Sequence, residues 1–172
     1  RRWAPTLRTV MAQLLDAQRV PTDGKRWEVL YSCGNTCDAA ALHAACDNKG
    51  PTVTLVWSSN NSVFGGYVDR AWRSDGTYRA DSRQSFLFGL RGTAEEAGPV
   101  VLERTGSNTN YVHDGSYGPV FGSGYDLKIV TGSSGHYVNC GSTYRQPLGG
   151  PYALNNGTQS FTLQRLEVFG LQ

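Results

Sequence analysis

The chain has 172 residues, 21 of them glycine, with 16 Lys and Arg against 14 Asp and Glu for a net charge of +2. That length suits one domain able to bury its own core, and the balanced charge, with no basic run interleaved with aromatics, argues against nucleic acid as a partner. No apolar run approaches the roughly 18 residues of a membrane span, so membrane insertion is not expected. The sequence opens at Arg1 without a signal-peptide pattern, which reads as an excerpt from a longer, cytoplasmic protein.

In chain order, residues 6–19 carry one apolar stripe at helical spacing: Leu7, Val10, Met11, Leu14 and Leu15. Pro5 stands at the entry, Thr6 can cap, and Pro21 ends the helix, whose stripe is expected to pack on the domain's own sheet. Trp27–Ser32 reads as a strand. A polar corner follows, then a second helix from Asp38 to Cys46 with Thr36 or Asp38 as its cap. Ala39, Leu42, His43 and Cys46 share its inner face, and Asn48 to Pro51 stops it.

Thr52–Ser58 alternates, with Val53, Leu55 and Trp57 on one side, which predicts a half-buried strand. Ser58–Asn61 is a turn cluster, and Ser62–Val68 resumes extended character. Gln84–Leu90 aligns Phe86, Phe88 and Leu90 on one face. Pro99–Glu103, Asn110–His113 and the alternating Tyr125, Leu127 and Ile129 predict short strands, whereas Thr131–Asn139 reads as a polar loop holding His136. In the closing stretch Gln159–Phe169, Phe161 and Leu163 are in one phase and Leu166 and Val168 in the other. That slip predicts a bulge or a passage to a second surface. Many short alternating strands between turn signals point to a mainly β chain folded as a two-sheet antiparallel sandwich.

Several spaced motifs run from Trp27 to Phe169: Asp47-Asn48-Lys49-Gly50-Pro51-Thr52, Val63-Phe64-Gly65-Gly66-Tyr67, Trp72, Tyr78 and Ser85-Phe86-Leu87-Phe88. Gly122-Ser123-Gly124-Tyr125-Asp126-Leu127, Cys140-Gly141-Ser142-Thr143-Tyr144 and Leu166-Glu167-Val168-Phe169 follow. The series resembles the TLDc domain of the eukaryotic oxidation-resistance proteins and nuclear-receptor coactivator relatives. The Gly122–Leu127 segment is closer to protist-type variants found in longer chains. The resemblance implies two helices flanking the sandwich and a non-enzymatic protein-interaction module. It also implies protection against oxidative damage and binding to peripheral subunits of the vacuolar proton pump, with a scaffold role in a parent assembly as the competing expectation. Gly50, Pro51, Phe64, Gly65, Gly66, Trp72, Phe86, Phe88, Gly122, Gly124, Asp126 and Cys140 enter as motif residues with structural roles.

Among chemistry-bearing sets, Cys33, Cys37, His43 and Cys46 offer four soft donors, but their spacing departs from a zinc knuckle and two of them face inward. No catalytic residue, metal or cofactor is therefore expected, and free thiols are the plainer reading of the four cysteines. Cys37, near a helix start, is the best candidate for a reactive thiolate should the chain be a thiol-dependent antioxidant enzyme. A Cys140 pairing with His113 or His136 is the thinner nucleophile–base alternative. Gly65, Gly66, Gly122 and Gly124 read as points of backbone freedom at bends and bulges. Trp57 and Trp72 are expected as buried anchors; both lying exposed along a groove would instead suit a glycan-binding sandwich.

Overall fold

A computed structural model describes residues 6–106, 111–112, 115–130, 132 and 135–172. The first helix, α1 (Leu7–Ala17), starts where the Thr9 amide donates to the Thr6 hydroxyl at 3.2 Å, which satisfies a donor that no helical carbonyl can reach. It buries Met11, Leu14 and Leu15, and ends at Gln18 as Arg19 turns left-handed with φ 59°. Strand β1 (Trp27–Cys33) leads to α2 (Ala39–Cys46), capped by Asp38, whose Oδ1 accepts from the amides of Ala40 and Ala41. There follow β2 (Thr52–Ser58), β3 (Val63–Val68), β4 (Tyr78–Arg79), β5 (Ser85–Arg91) and β6 (Val100–Glu103). The remainder comprises β7 (Tyr111–Val112), β8 (Val120–Phe121), β9 (Leu127–Lys128), β10 (His136–Val138), β11 (Ser160–Phe161) and β12 (Leu163–Leu171).

These strands form two antiparallel sheets, ordered β1-β12-β2-β3-β5-β6 and β11-β10-β9-β8-β7-β4. The expected sandwich is present, mainly β with two helices. Phe161 belongs to the second sheet, and Leu163 opens the closing strand of the first. The register shifts between Leu163 and Arg165. The crossing between sheets falls between Phe161 and Leu163, which share a phase, and the slip read in the closing stretch is this irregularity in the register of β12.

Two apolar layers hold the fold. One lies between the sheets, where Val56, Phe64 and Leu87 of the first meet Tyr111, Phe121 and Leu127 of the second, with Leu42 and Cys46 of α2 completing it. The other lies under α1, where Met11, Leu14 and Leu15 cover Val53, Leu55, Phe86 and Phe88. The stripe on α1 therefore packs on the chain's own sheet.

Several expectations change. Thr52–Ser58 is not half-buried: α1 covers one face and the second sheet the other, so even Thr52, Thr54 and Ser58 are buried. Thr52, Thr54 and Ser58 on one face predict a wet surface, but the pattern does not show what will later pack on it. Thr131–Asn139 is not simply a polar loop, because His136–Val138 forms β10 with His136 and Val138 fully buried. Tyr125 lies in a turn with φ 55°, so only Leu127–Lys128 of the predicted alternation is strand. Asn110 and His113 lie outside the described residues, leaving Tyr111–Val112 of that predicted strand.

Candidate functional site

The sulfur and imidazole groups singled out in the sequence do not converge. Cys33 and Cys37 are joined as a disulfide across a Cα–Cα distance of 5.5 Å, which corrects the reading of four free thiols. The reason is local: β1 ends at Cys33, and the corner before α2 folds back so that Cys37 pairs with Gly132, bringing the two Cβ atoms into bridging range. The bridged loop is so short that the bond contributes at most roughly 2 kcal/mol through chain entropy. Cys37 is thus bonded and buried, not an accessible thiolate.

His43, on the inner face of α2, has both ring nitrogens engaged, Nδ1 with the Asp47 carboxylate at 2.8 Å and Nε2 with the Tyr117 carbonyl oxygen at 2.7 Å. Both nitrogens are thus turned to protein oxygens and not to a position shared with the cysteines. Cys46 is fully buried, and desolvation with help from Asp47 pushes its thiol up to about 12. Burial, again the larger cause, pushes Cys140 up as well; its sulfur points at the Asp126 carbonyl oxygen, 3.9 Å away, not at an imidazole. Thiols raised in this way stay protonated and are poor nucleophiles. His136 stacks on Phe161 with ring centres 5.6 Å apart, and its Nδ1 accepts from the Val130 amide at 3.1 Å. Burial pushes this imidazole below its ordinary value, against a smaller opposing effect of the Gly132 backbone. His113 lies outside the described residues, which leaves the Cys140–His136 pairing as the one to judge, and these two groups serve separate contacts.

Asp126, which the sequence showed only as one member of a motif, is heavily bonded. The Cys140–Tyr144 turn wraps its carboxylate with amides: Gly141 and Ser142 donate to Oδ2 at 3.2 Å, Tyr144 at 3.0 Å, and Thr143 to both oxygens at 3.1 and 3.2 Å. Burial pushes the carboxyl up from its ordinary range while these amides pull it the other way. Gly122, with φ 88°, leaves the space: a Cβ there would strike the Asp126 carboxylate. The amides that converge on this side chain pin the turn to the second sheet.

Two features face outward. On the outer side of the second sheet the Lys128 ammonium lies over the rings of Tyr117, Tyr125 and Tyr137 at 4.1, 5.0 and 5.6 Å. Tyr78, 56% exposed, joins the group through its hydroxyl, 2.9 Å from that of Tyr125. At the β4–β7 edge, a cavity of about 270 Å³ is lined by Arg70, Ala71, Arg73, Arg79, Asp81 and Tyr111. Arg70 Nε donates to the Asp81 carbonyl at 3.2 Å, and the Tyr111 hydroxyl donates to the Asp81 carboxylate at 3.0 Å.

Comparison with known proteins places this geometry. A family model described as the TLDc domain matches residues 5–172. The chain belongs to the TLDc family. It is 28% identical over 160 residues to the zebrafish (Danio rerio) MTOR-associated protein MEAK7, covering 84% of this chain and 32% of that protein. To the chicken (Gallus gallus) protein of the same name it is 25% identical over 162 residues, 85% and 31% of the two chains. It thus spans about a third of the length of these curated relatives.

The TLDc motif residues occupy the seam between the layers. Trp72 is 3% exposed, set edge-on to Tyr111 and Phe121 at 5.4 and 5.6 Å, and its Nε1–H donates to the Thr52 hydroxyl at 2.9 Å. Trp57, in contrast, is only part-buried, with the Arg165 guanidinium 5.2 Å above its ring, because its face of β2 runs past the end of the α1 cover. Phe64 meets Phe161 edge-on at 5.3 Å, while Phe86 and Phe88 lie under α1. Gly65 and Gly66 sit in regular strand, not at a bend. Their lack of a side chain serves close approach, since a Cβ at Gly66 would stand 2.7 Å from the Phe121 ring. Gly124 is similar, with a Cβ there 2.6 Å from Ser142 Oγ, and Gly50, joined to Pro51 by a cis peptide, passes close to the Ala71 backbone. Sequence reasoning missed the arginine-lined cavity. Its arginines are dispersed among Asp69, Asp75 and Asp81, so no basic run announces them.

Proposed function

We propose that this chain is a docking module that works through its outer surface and performs no chemistry of its own. The observation that carries the reading is the use to which its reactive groups are put. Among the described residues every thiol is either bonded or buried, and both imidazoles are held in contacts that build the fold. Membership of the TLDc family supports it, as does an exterior with a tyrosine cluster around Lys128 and an arginine-lined hollow. Tyrosine and arginine are enriched where proteins meet, because each combines contact area with a polar handle.

The family resemblance makes the peripheral subunits of the vacuolar proton pump the first partner to test, within a cytoplasmic protein that helps limit oxidative damage. The longer MTOR-associated relatives support a second reading, in which this region is one scaffold element of a larger assembly. In a reducing compartment the Cys33–Cys37 bond would face glutathione, and its opening would loosen the corner before α2 without exposing Cys46.

The test is affinity purification of the intact parent chain, followed by identification of what it retains. Recovery of proton-pump peripheral subunits, lost when the Lys128 face is changed by Tyr78→Glu with Tyr137→Glu, is the expected result. Peroxide consumption by the 172-residue chain that disappears with Cys37→Ser would replace docking by thiol chemistry.

A further inference from the structure

The outer face of the second sheet is arranged around one cation. Residues directly opposite each other on paired antiparallel strands share a face. The register therefore sets Tyr137, Lys128, Val120, Val112 and Tyr78 in one row across β10, β9, β8, β7 and β4. At ordinary strand spacing that row is about 19 Å long. Val112 and Val120 are buried, yet they belong to neither apolar layer of the fold. The joined hydroxyls of Tyr78 and Tyr125 carry an aromatic surface from β4 to Lys128, spanning these two valines. The fold itself thus fixes the face.

Lys128 stands among further donors. Tyr117 and Tyr137 flank its ammonium, with ring centres 4.1 and 5.6 Å away. Among the described residues neither of their hydroxyls has a hydrogen-bond partner, and no carboxylate reaches Lys128. Asp126, the nearest acid in the sequence, is turned instead into the Cys140–Tyr144 turn. Burial, with a smaller push from Tyr117, raises the Tyr137 hydroxyl above its ordinary value, so it remains a donor near neutral pH. The ring faces position the ammonium but do not cancel its charge.

Charge and donor count select what fits. One ammonium with two phenol hydroxyls matches a single carboxylate, which accepts hydrogen bonds on both oxygens. A phosphate monoester, at about −1.5 to −2 near neutral pH, would leave the site negative. The flat row of tyrosines beside it suits the aliphatic side chains of a protein surface.

We propose that Lys128, with Tyr117 and Tyr137, receives the carboxylate of an aspartate or glutamate on a protein partner, whose flanking aliphatic side chains lie along the tyrosine row. This rests on the docking reading above and names what the docked surface must present. The probes are a short end-blocked peptide with one glutamate between two valines, its glutamine twin, the same peptide with phosphoserine in place of glutamate, and a disaccharide carrying glucuronate. Each is titrated into the ¹⁵N-labelled chain while the amide signals are followed.

The expected result is saturable shifts confined to β8–β10, Tyr117 and Tyr125 with the glutamate peptide and none with its twin. Lys128→Gln should weaken binding at least about tenfold, and Lys128→Arg should restore most of it. Tyr137→Phe keeps the ring beside Lys128 and removes only the hydroxyl, so it should cost roughly threefold, with an unchanged melting temperature. Lys25→Gln should have no effect. Equal binding of the glutamine twin would overturn the proposal, as would tighter binding of the phosphoserine peptide or of the disaccharide. If the parent chain carrying Lys128→Gln still retains its partner undiminished, the carboxylate proposal falls and docking stands. If the parent chain retains no partner while the glutamate peptide still shifts the β8–β10 signals, docking falls and the carboxylate site stands.

Discussion

The two sheets are held together by different means. In the first, β2, β3, β5 and β12 run six to nine residues each, and α1 on one side and the second sheet on the other bury them through apolar contact. In the second, most strands are two residues long, too short to be stable as ladders. Beyond the apolar layer it shares with the first, that sheet is held by side chains that reach into the backbone: Asp126 into the Cys140–Tyr144 turn, His136 to Val130, and the Thr143 hydroxyl to the Ser123 amide at 2.9 Å. The contrast teaches that a sandwich can join one sheet held by packing to another held by polar pins. Mutations should therefore fail differently in the two halves.

The largest effect is expected where the halves meet. Trp72→Ala removes the ring that touches both Tyr111 and Phe121 and leaves the buried Thr52 hydroxyl without its indole donor. The cost should be about 4 kcal/mol, read as a fall in the urea midpoint, and both sheets should lose amide protection together. A loss confined to one sheet would break the picture of a shared seam.

Asp126→Asn is the matching test of the polar half. An amide group keeps one acceptor oxygen where the carboxylate has two, and turns an NH₂ toward donors at Thr143. Roughly 3 kcal/mol should be lost, with hydrogen exchange quickening first in β8–β10 and the Cys140–Tyr144 turn while β2, β3 and β5 stay protected. Uniform loss across both sheets would mean that the nest is not a local pin.

This difference also explains what could be read beforehand. Thr52–Ser58 and Gln84–Leu90 showed themselves through period-two alternation, and the slip after Leu163 foretold the register irregularity in β12, because packing writes a pattern of residue types along the chain. Polar pinning writes no such period. Asp126 meets amides that follow it by 15 to 18 positions, and His136 sits among glycines and serines that mark a loop. Arg70, Arg73 and Arg79 come together only because the loop from Asp69 to Gln84 closes on itself. The Cys33–Cys37 bond depended on how the corner before α2 turns, which spacing alone left open.

His136 gives a smaller and conditional effect. Burial holds its pKa in the folded chain below the ordinary 6.5, so the unfolded chain takes up a proton more readily. The stability it supports is complete above that ordinary value and is lost as pH falls through it toward the depressed folded value. Thermal scans from pH 7.5 down to pH 5 should show this decline, and His136→Phe, which keeps a ring on Phe161 but cannot titrate, should flatten it. Burial of Asp126 works in the opposite sense at lower pH, so the comparison must be made between the two proteins at each pH. Parallel curves would remove His136 from the account.

The smallest change tests the packed half from within. Thr54 sits in the middle of β2, fully buried, and its hydroxyl oxygen has no hydrogen-bond partner. Thr54 and Thr52 lie on the face of β2 that the second sheet covers, but only Thr52 finds a donor, in Trp72. A buried hydroxyl without a partner has lost water and gained nothing in return. Valine has nearly the same shape and equal preference for a strand, so Thr54→Val should stabilise by about 1 kcal/mol without moving its neighbours. The same exchange at Thr52 should destabilise, because it strands the indole N–H inside the sandwich. Opposite signs at two threonines separated by one residue on one strand are what packing plus a single polar contact predicts. A loss at both positions would show that the first sheet, too, depends on polar pins.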